Sequence, residues 1–290
     1  MLEMTLIYGF INSVILVVVA LGFNITFGIS GVANFAHGAL YVAAGFGAYL
    51  LLHHLGLPFW AAAALTVALT AGMAALIYRV ILLRVRGLVV SEVIATVGCG
   101  LAMLELFRYL GFVGFEYTLP VLIDATVQIG ETDVDAQRLV IVAAGFLLSA
   151  FLWFFTRHTK TGLAFRGIAQ DERTALTLGI NTDRVAALSM AFGGAYAALA
   201  ALVVLPLGTI SVSEGYNVLT NALAVCIVGG LGSTLGVVAA SFVIGYAQIL
   251  TATYLETHWM MIVSLVAILL VLTVKPSGLF GHQKELEERI

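Results

Sequence analysis

No aspartate, glutamate, lysine or arginine occurs between Met4 and Tyr78, and this absence constrains the chain more than any motif in it. A bilayer core about 30 Å thick is crossed by roughly 20 residues of α-helix, so a run this long crosses more than once. Further uncharged runs cover Leu139–Thr156, Val185–Ser213, Gly215–Leu255 and Thr257–Val274, and Leu88–Tyr109 is interrupted only by Glu92, Glu105 and Arg108. With 61% hydrophobic and 10% charged residues among 290, the chain is an integral membrane protein. Strand-like alternation is absent. The expected class is therefore an all-α polytopic membrane protein with about eight transmembrane helices, in one domain over residues 1–290.

Loop charges set the orientation, because basic residues flanking spans are retained in the cytoplasm. Arg79, Arg84 and Arg86 mark one inner loop; Arg157, Lys160, Arg166 and Arg173 mark a second; Lys275, Lys284 and Arg289 place the C-terminal end inside. The segment from Gly111 to Arg138 carries Glu116, Asp124, Glu131, Asp133 and Asp135, as an outer loop does. Trp60, Trp153 and Trp259 fall near span ends, where interfacial indoles sit. The first residues lack a basic region and a small-residue cleavage site, so Met4–Phe23 reads as a retained helix. Cys99 and Cys226 lie in apolar runs and read as small buried hydrophobes. A net charge of −3 and no basic-aromatic stripe leave no case for a nucleic-acid partner.

Residues 157–184 form a charged island between two spans: Arg157, Lys160, Arg166, Asp171, Glu172, Arg173, Asp183 and Arg184. Asp171 caps a short helix over Glu172–Leu178, its carboxylate meeting free N–H groups, and Gly179, four residues after Ala175, ends it. Leu163–Ile168 forms another helical turn. A structured inner-face loop of this kind is a socket for a soluble partner; the competing reading is an amphipathic loop on the membrane surface.

Glycine punctuation marks two breaks. Gly28 to Gly38 reads Gly-Ile-Ser-Gly-Val-Ala-Asn-Phe-Ala-His-Gly, and a second break is Gly229-Gly230-Leu231-Gly232-Ser233. With Ser211–Tyr216 placed outside, parity makes Asn217–Val228 a half-helix or re-entrant piece. Broken backbone at membrane depth survives only when buried in protein or lining a wet cavity, and such segments at corresponding places in two halves point to a central transport site. Ser30, Asn34 and His37 near the first break, with Asn217 and Asn221 near the second, are the candidate lining residues. The plainer alternative is that these glycines merely let helices approach closely.

The absences narrow the energetics. There is no Gly-x-x-x-x-Gly-Lys-[Ser/Thr] loop, His-Glu-x-x-His or Gly-x-Ser-x-Gly, hence no catalytic or metal-site residues to nominate. No chain of buried carboxylates crosses the membrane, which disfavours an ion-driven carrier. Glu105 and Arg108 read as a local pair, Glu92 as reaching the interface beside Arg84 and Arg86, and His53 and His54 as solvated loop residues.

Three stretches together carry a family likeness: Gly31-Val32-Ala33-Asn34-Phe35-Ala36-His37-Gly38, Lys160-Thr161-Gly162 through Gly179-Ile180-Asn181-Thr182-Asp183-Arg184-Val185, and Val228-Gly229-Gly230-Leu231-Gly232-Ser233. Over nearly its whole length the chain resembles LivH-type permeases of branched-chain amino-acid ABC importers. The resemblance implies a permease domain with two pseudo-repeated halves, broken half-helices and cytoplasmic coupling helices. It implies a homologous second permease subunit, two cytoplasmic ATPases that bind ATP and Mg, an external substrate-binding protein, and a bacterial inner membrane. This chain would itself bind no cofactor and catalyse no reaction. Arg166, Asp171, Glu172, Arg173, Ala175 and Gly179 become the ATPase-coupling candidates, although the loop lacks the distal Leu-Pro of the full pattern of other ABC permeases. Relatives of similar appearance carry urea, amides or other amino acids. A stand-alone carrier or channel and a membrane-embedded enzyme are the remaining alternatives.

Overall fold

The computed structural model describes residues 2–31, 33–112 and 117–281; Val32, Glu116, Lys284 and Arg289, which enter the readings above, lie outside them. The chain folds as α1 (Leu2–Ser30), α2 (His37–His53) and α3 (Phe59–Ile77), which runs through a π-helical turn (Tyr78–Leu82) into α4 (Leu83–Val85). Then come α5 (Val89–Tyr109), the hairpin β1 (Thr126–Ile129) and β2 (Thr132–Asp135), α6 (Ala136–His158), α7 (Lys160–Gln170) and α8 (Glu172–Thr177). The chain ends in α9 (Thr182–Val204), a 3-10 turn (Leu205–Leu207), α10 (Val212–Gly229), α11 (Thr234–Tyr254) and α12 (Trp259–Val274). Among the described residues, 6 helical segments are long and apolar enough to cross a membrane: α1, α3 through α4, α5, α6, α9 with its 3-10 turn, and α11. Among the described residues, α12 is a shorter apolar helix of 16 residues, and α2 and α10 are helices of 17 and 18 residues.

α1 and α9 form the axis. Both are apolar around their whole circumference, as a helix surrounded by others must be, and they cross where a Cβ on Gly22 would lie 2.7 Å from the Tyr196 Cβ and one on Gly193 3.0 Å from the Gly22 carbonyl. Small residues let the backbones touch, which is how helices gain contact in a solvent as apolar as themselves. The remaining packing is exchanged between halves: α1 lies on α11 and α10, while α9 lies on α3 and α2. α1–α3 therefore correspond to α9–α11, the two pseudo-repeated halves.

One end of the bundle gathers the basic residues. Arg86 joins the α4–α5 corner to Glu172 and Asp183, Ser30 and Gly31 share a cavity with Arg86 and Glu172, and Leu279 and Phe280 bond back to the Val228 and Gly229 carbonyls. By the bias of flanking basic residues, this end is cytoplasmic. At the other end Glu3 accepts from the Glu131 N–H and Tyr8 donates to the Asp133 carbonyl. α1 thus runs inward and α9 outward, so the two halves are inverted relative to each other. The arginines of the outer end, Arg108 and Arg138, are each paired with an acid three residues away, Glu105 and Asp135.

The outer segment adds a feature, and two local readings need correction. Thr126–Asp135 forms an antiparallel hairpin with Thr126 opposite Asp135, which the acidic outer loop does not announce. The second interrupted helix begins at Val212, not Asn217. Glu92 does not reach the interface: it is buried, and its carboxylate accepts the Gly87 N–H at 2.7 Å at the start of α5, where partial positive charge favours an anion.

Candidate functional site

The cytoplasmic segment is built from local caps. The Thr159 hydroxyl accepts the Gly162 N–H at 2.9 Å and starts α7; Asp171 accepts the Arg173 N–H at 2.9 Å and the Thr174 hydroxyl and starts α8. Gly179, at φ +81°, stops it, with Ile180 N–H reaching back to the Ala175 carbonyl at 3.1 Å. Hydrogen bonds from Thr174 hold the Asp171 carboxyl below the usual carboxylate range, helped by the Arg173 N–H and its charge. Ala175 is buried, and α8 packs on α7 and α9. Arg166, Asp171, Glu172, Arg173 and Gly179 face outward, beside the exposed side chains of Leu163, Leu176 and Leu178. Basic and apolar groups on one protruding element suit a protein partner's groove.

Arg86 was missed by sequence reasoning and is the anchor of this element. Its guanidinium pairs with Glu172 and Asp183 and donates to the Thr182 hydroxyl at 3.2 Å. One residue thus ties α8 and the start of α9 to the corner that follows α3.

The two interrupted helices meet inside the bundle. α1 stops at Gly31, at φ +69°, and the chain turns back through residues 33–36 before α2 starts at His37. Gly100, halfway along α5, packs against Ala36, which places the start of α2 roughly 16 Å from the cytoplasmic end of α5. Gly215 in the first turn of α10 touches Leu104, one turn further out on α5, and abuts Gly38, so that a Cβ on Gly38 would collide with the Gly215 carbonyl. Val212 and Gly215 therefore lie buried within the bundle, with Ser213 exposed between them. Two helix N-termini, each with partial positive charge, converge within the bundle.

The candidate lining residues have distinct surroundings. Asn34 and His37 are sealed in the break: the Ala36 N–H donates to Asn34 Oδ1 at 3.1 Å, and His37 Nε2 lies 3.1 Å from the Val19 carbonyl. A carbonyl only accepts, so Nε2 carries the proton. Asn34 Nδ2 and His37 Nδ1 have no partner among the described residues. Ser30 donates to the Thr26 carbonyl at 2.7 Å and borders the cytoplasmic cavity. Asn217 is half-buried with its amide 3.5 Å from Glu214. Asn221 belongs to a polar knot instead: its carbonyl accepts from Gln248 at 3.1 Å and from Ser264 at 2.8 Å, and Asn12 donates to Gln248 at 2.9 Å. That knot joins α1, α10, α11 and α12.

Two further polar residues were legible but unread. Glu214 is the sole acid between Asp183 and Glu256, and it sits in the first turn of α10. Asn24, inside the charge-free run, accepts the Gly232 N–H at 2.9 Å and fastens α1 to the second glycine turn.

Inverted halves, broken helices meeting at mid-depth and a capped helical segment on the cytoplasmic end define a multi-pass membrane transport permease. The chain matches the family described as branched-chain amino acid transport system / permease component over residues 5–272, and it belongs to that family. It is 29% identical over 282 residues to the high-affinity branched-chain amino acid transport system permease protein LivH of Escherichia coli strain K12, covering 91% of this chain and 90% of that protein. It is 28% identical over 284 residues to LivH of Salmonella typhimurium, with the same coverage, and 27% identical over 279 residues to BraD of Pseudomonas aeruginosa, covering 91% of each. Its fold is similar to that of PsaBC from Streptococcus pneumoniae in complex with Fab, with a TM-score of 0.53 at 14% identity, covering 94% of this chain and 92% of that one.

Proposed function

We propose that this chain is the transmembrane subunit of an ATP-driven importer for branched-chain or related amino acids in the inner membrane, working by alternating access. Its partners are a second, homologous permease subunit, two cytoplasmic ATPases that bind ATP and Mg, and an external binding protein that selects the solute. The chain carries out no chemistry of its own and needs no cofactor. One observation carries the reading: the inverted broken helices α2 and α10 meet N-terminus to N-terminus, while the capped α7–α8 element is bolted by Arg86 to the corner after α3. Closure of an ATPase against Arg166, Arg173 and the exposed leucines would move α8, and Arg86 would pass that movement to α3 and α5. The converging N-termini offer weak attraction for a carboxylate, and weak binding suits rapid release.

Proteoliposomes decide the matter. With all partners and ATP, labelled leucine, isoleucine and valine should accumulate against their gradients. Uptake by this chain alone in an ion gradient, or uptake of urea or amides in place of amino acids, would overturn the assignment.

A further inference from the structure

A cavity of about 580 Å³ opens at the cytoplasmic end between the end of α1, the π-helical turn, the α4–α5 corner and α8. Its size is that of a small-molecule site. Arg86, Glu92 and Glu172 bring both signs of charge to its wall, and Tyr78 lines it. Tyr78 is 4% exposed, and its hydroxyl has no hydrogen-bond partner among the described residues. A buried hydroxyl without a partner is costly, so it asks for a ligand atom. Leu82, Val89 and Ala186 supply an apolar wall. The π-helical turn that carries Tyr78 is itself the kind of irregularity that collects at functional sites.

We propose that this cavity is a cytoplasmic-side binding site for the zwitterionic head of an apolar α-amino acid. The ammonium meets the carboxylates of Glu92 and Glu172; the Glu92 oxygen bonded to Gly87 leaves other lone pairs for it. The carboxylate meets the Tyr78 hydroxyl and the Arg86 guanidinium, and the aliphatic side chain lies on Leu82, Val89 and Ala186. Because Arg86 and Glu172 also fasten α8, a solute here sits at the joint between passage and motor. The amino-acid class rests on the function proposed above; the two-signed head group rests on the cavity alone.

The test is equilibrium binding of labelled leucine to the purified complex with its partner subunits but without the external binding protein. Leucine should bind saturably. Isocaproate, which lacks the ammonium, and isoamylamine, which lacks the carboxylate, should each bind about tenfold more weakly. Tyr78→Phe, which removes one oxygen, should weaken leucine binding several-fold. Val89→Trp, at an exposed position on the cavity wall, should abolish it. No saturable binding by a complex that performs ATP-driven leucine uptake, binding of either analogue as tight as that of leucine, or wild-type affinity in both variants would overturn the site. Saturable, variant-sensitive binding in a complex that fails at uptake would support the site and overturn the transport reading instead.

Discussion

At the scale of single residues, Gly38 and Gly215 set the closest tolerance. A methyl on Gly38 collides with backbone, which cannot rotate away, so Gly38→Ala should cost about 1–3 kcal/mol, read as a lowered Tm in detergent. Gly47, on the same helix with nothing within 4 Å of its would-be Cβ, is the control: Gly47→Ala should match or exceed the parent, since alanine favours the helix. Asp171 makes a prediction in pH. Its carboxyl is held below the ordinary value by Thr174 and Arg173, so its contribution to α8 is complete above the unfolded value of about 3.9 and is lost as pH falls through the lower folded value. Hydrogen exchange at the Arg173 and Thr174 amides should thus show flat protection from neutral pH to about pH 4 and a decline below it. Asp171→Asn, which still caps but does not titrate, should remove the decline.

At the scale of elements, α7 is packed into the bundle through Phe165 and Ile168, whereas α8 is tied to the α4–α5 corner through Arg86. Arg86 and Glu172 are 32% and 48% exposed, so their pair is worth under about 1 kcal/mol. Arg86→Ala should therefore leave Tm nearly unchanged while cutting ATP-driven uptake several-fold with ATP hydrolysis retained. Normal uptake would remove Arg86 from the coupling path. The knot on α11 behaves oppositely. Gln248→Leu removes the bonds of Gln248 to Asn221, Ser264 and Asn12, leaving only the Ser264–Asn221 bond and the Asn12 bond to the Gly245 carbonyl, and it should cost about 1–2 kcal/mol of thermal stability. The cap of α8 was legible because Asp171 and the Arg173 amide are two residues apart. Arg86 was not, because it and Glu172 are separated by 86 positions.

At the scale of the whole molecule, the inverted halves place the α2–α3 turn and α8 on opposite sides of the membrane. In a background with Cys99 and Cys226 replaced by alanine, His54→Cys should react with an impermeant maleimide from outside intact cells. Leu178→Cys should react only after permeabilisation, and labelling of both from one side would refute the inverted arrangement. The exchange of partners, α1 on α11 and α9 on α3, also makes the halves interdependent. Neither can bury its long apolar helix without the other, so severing the chain in the outer loop should leave two fragments that are stable only when coexpressed.

What the sequence determined by itself was whatever is decided within a few residues or by solvent. The absence of charge over Met4–Tyr78 demands helices in a bilayer, basic loops choose the inner side, and Asp171 and Gly179 bound a short helix. Tertiary structure decided the rest: that Gly38 meets Gly215, that Asn221 turns into a knot, that Glu214 is drawn into the bundle, and that Arg86 clasps Glu172. The reason is physical. Chain-local bonds are announced by the residues that make them, whereas contacts between helices in lipid come from small and apolar side chains that look alike at every position, and only the packed bundle distinguishes them.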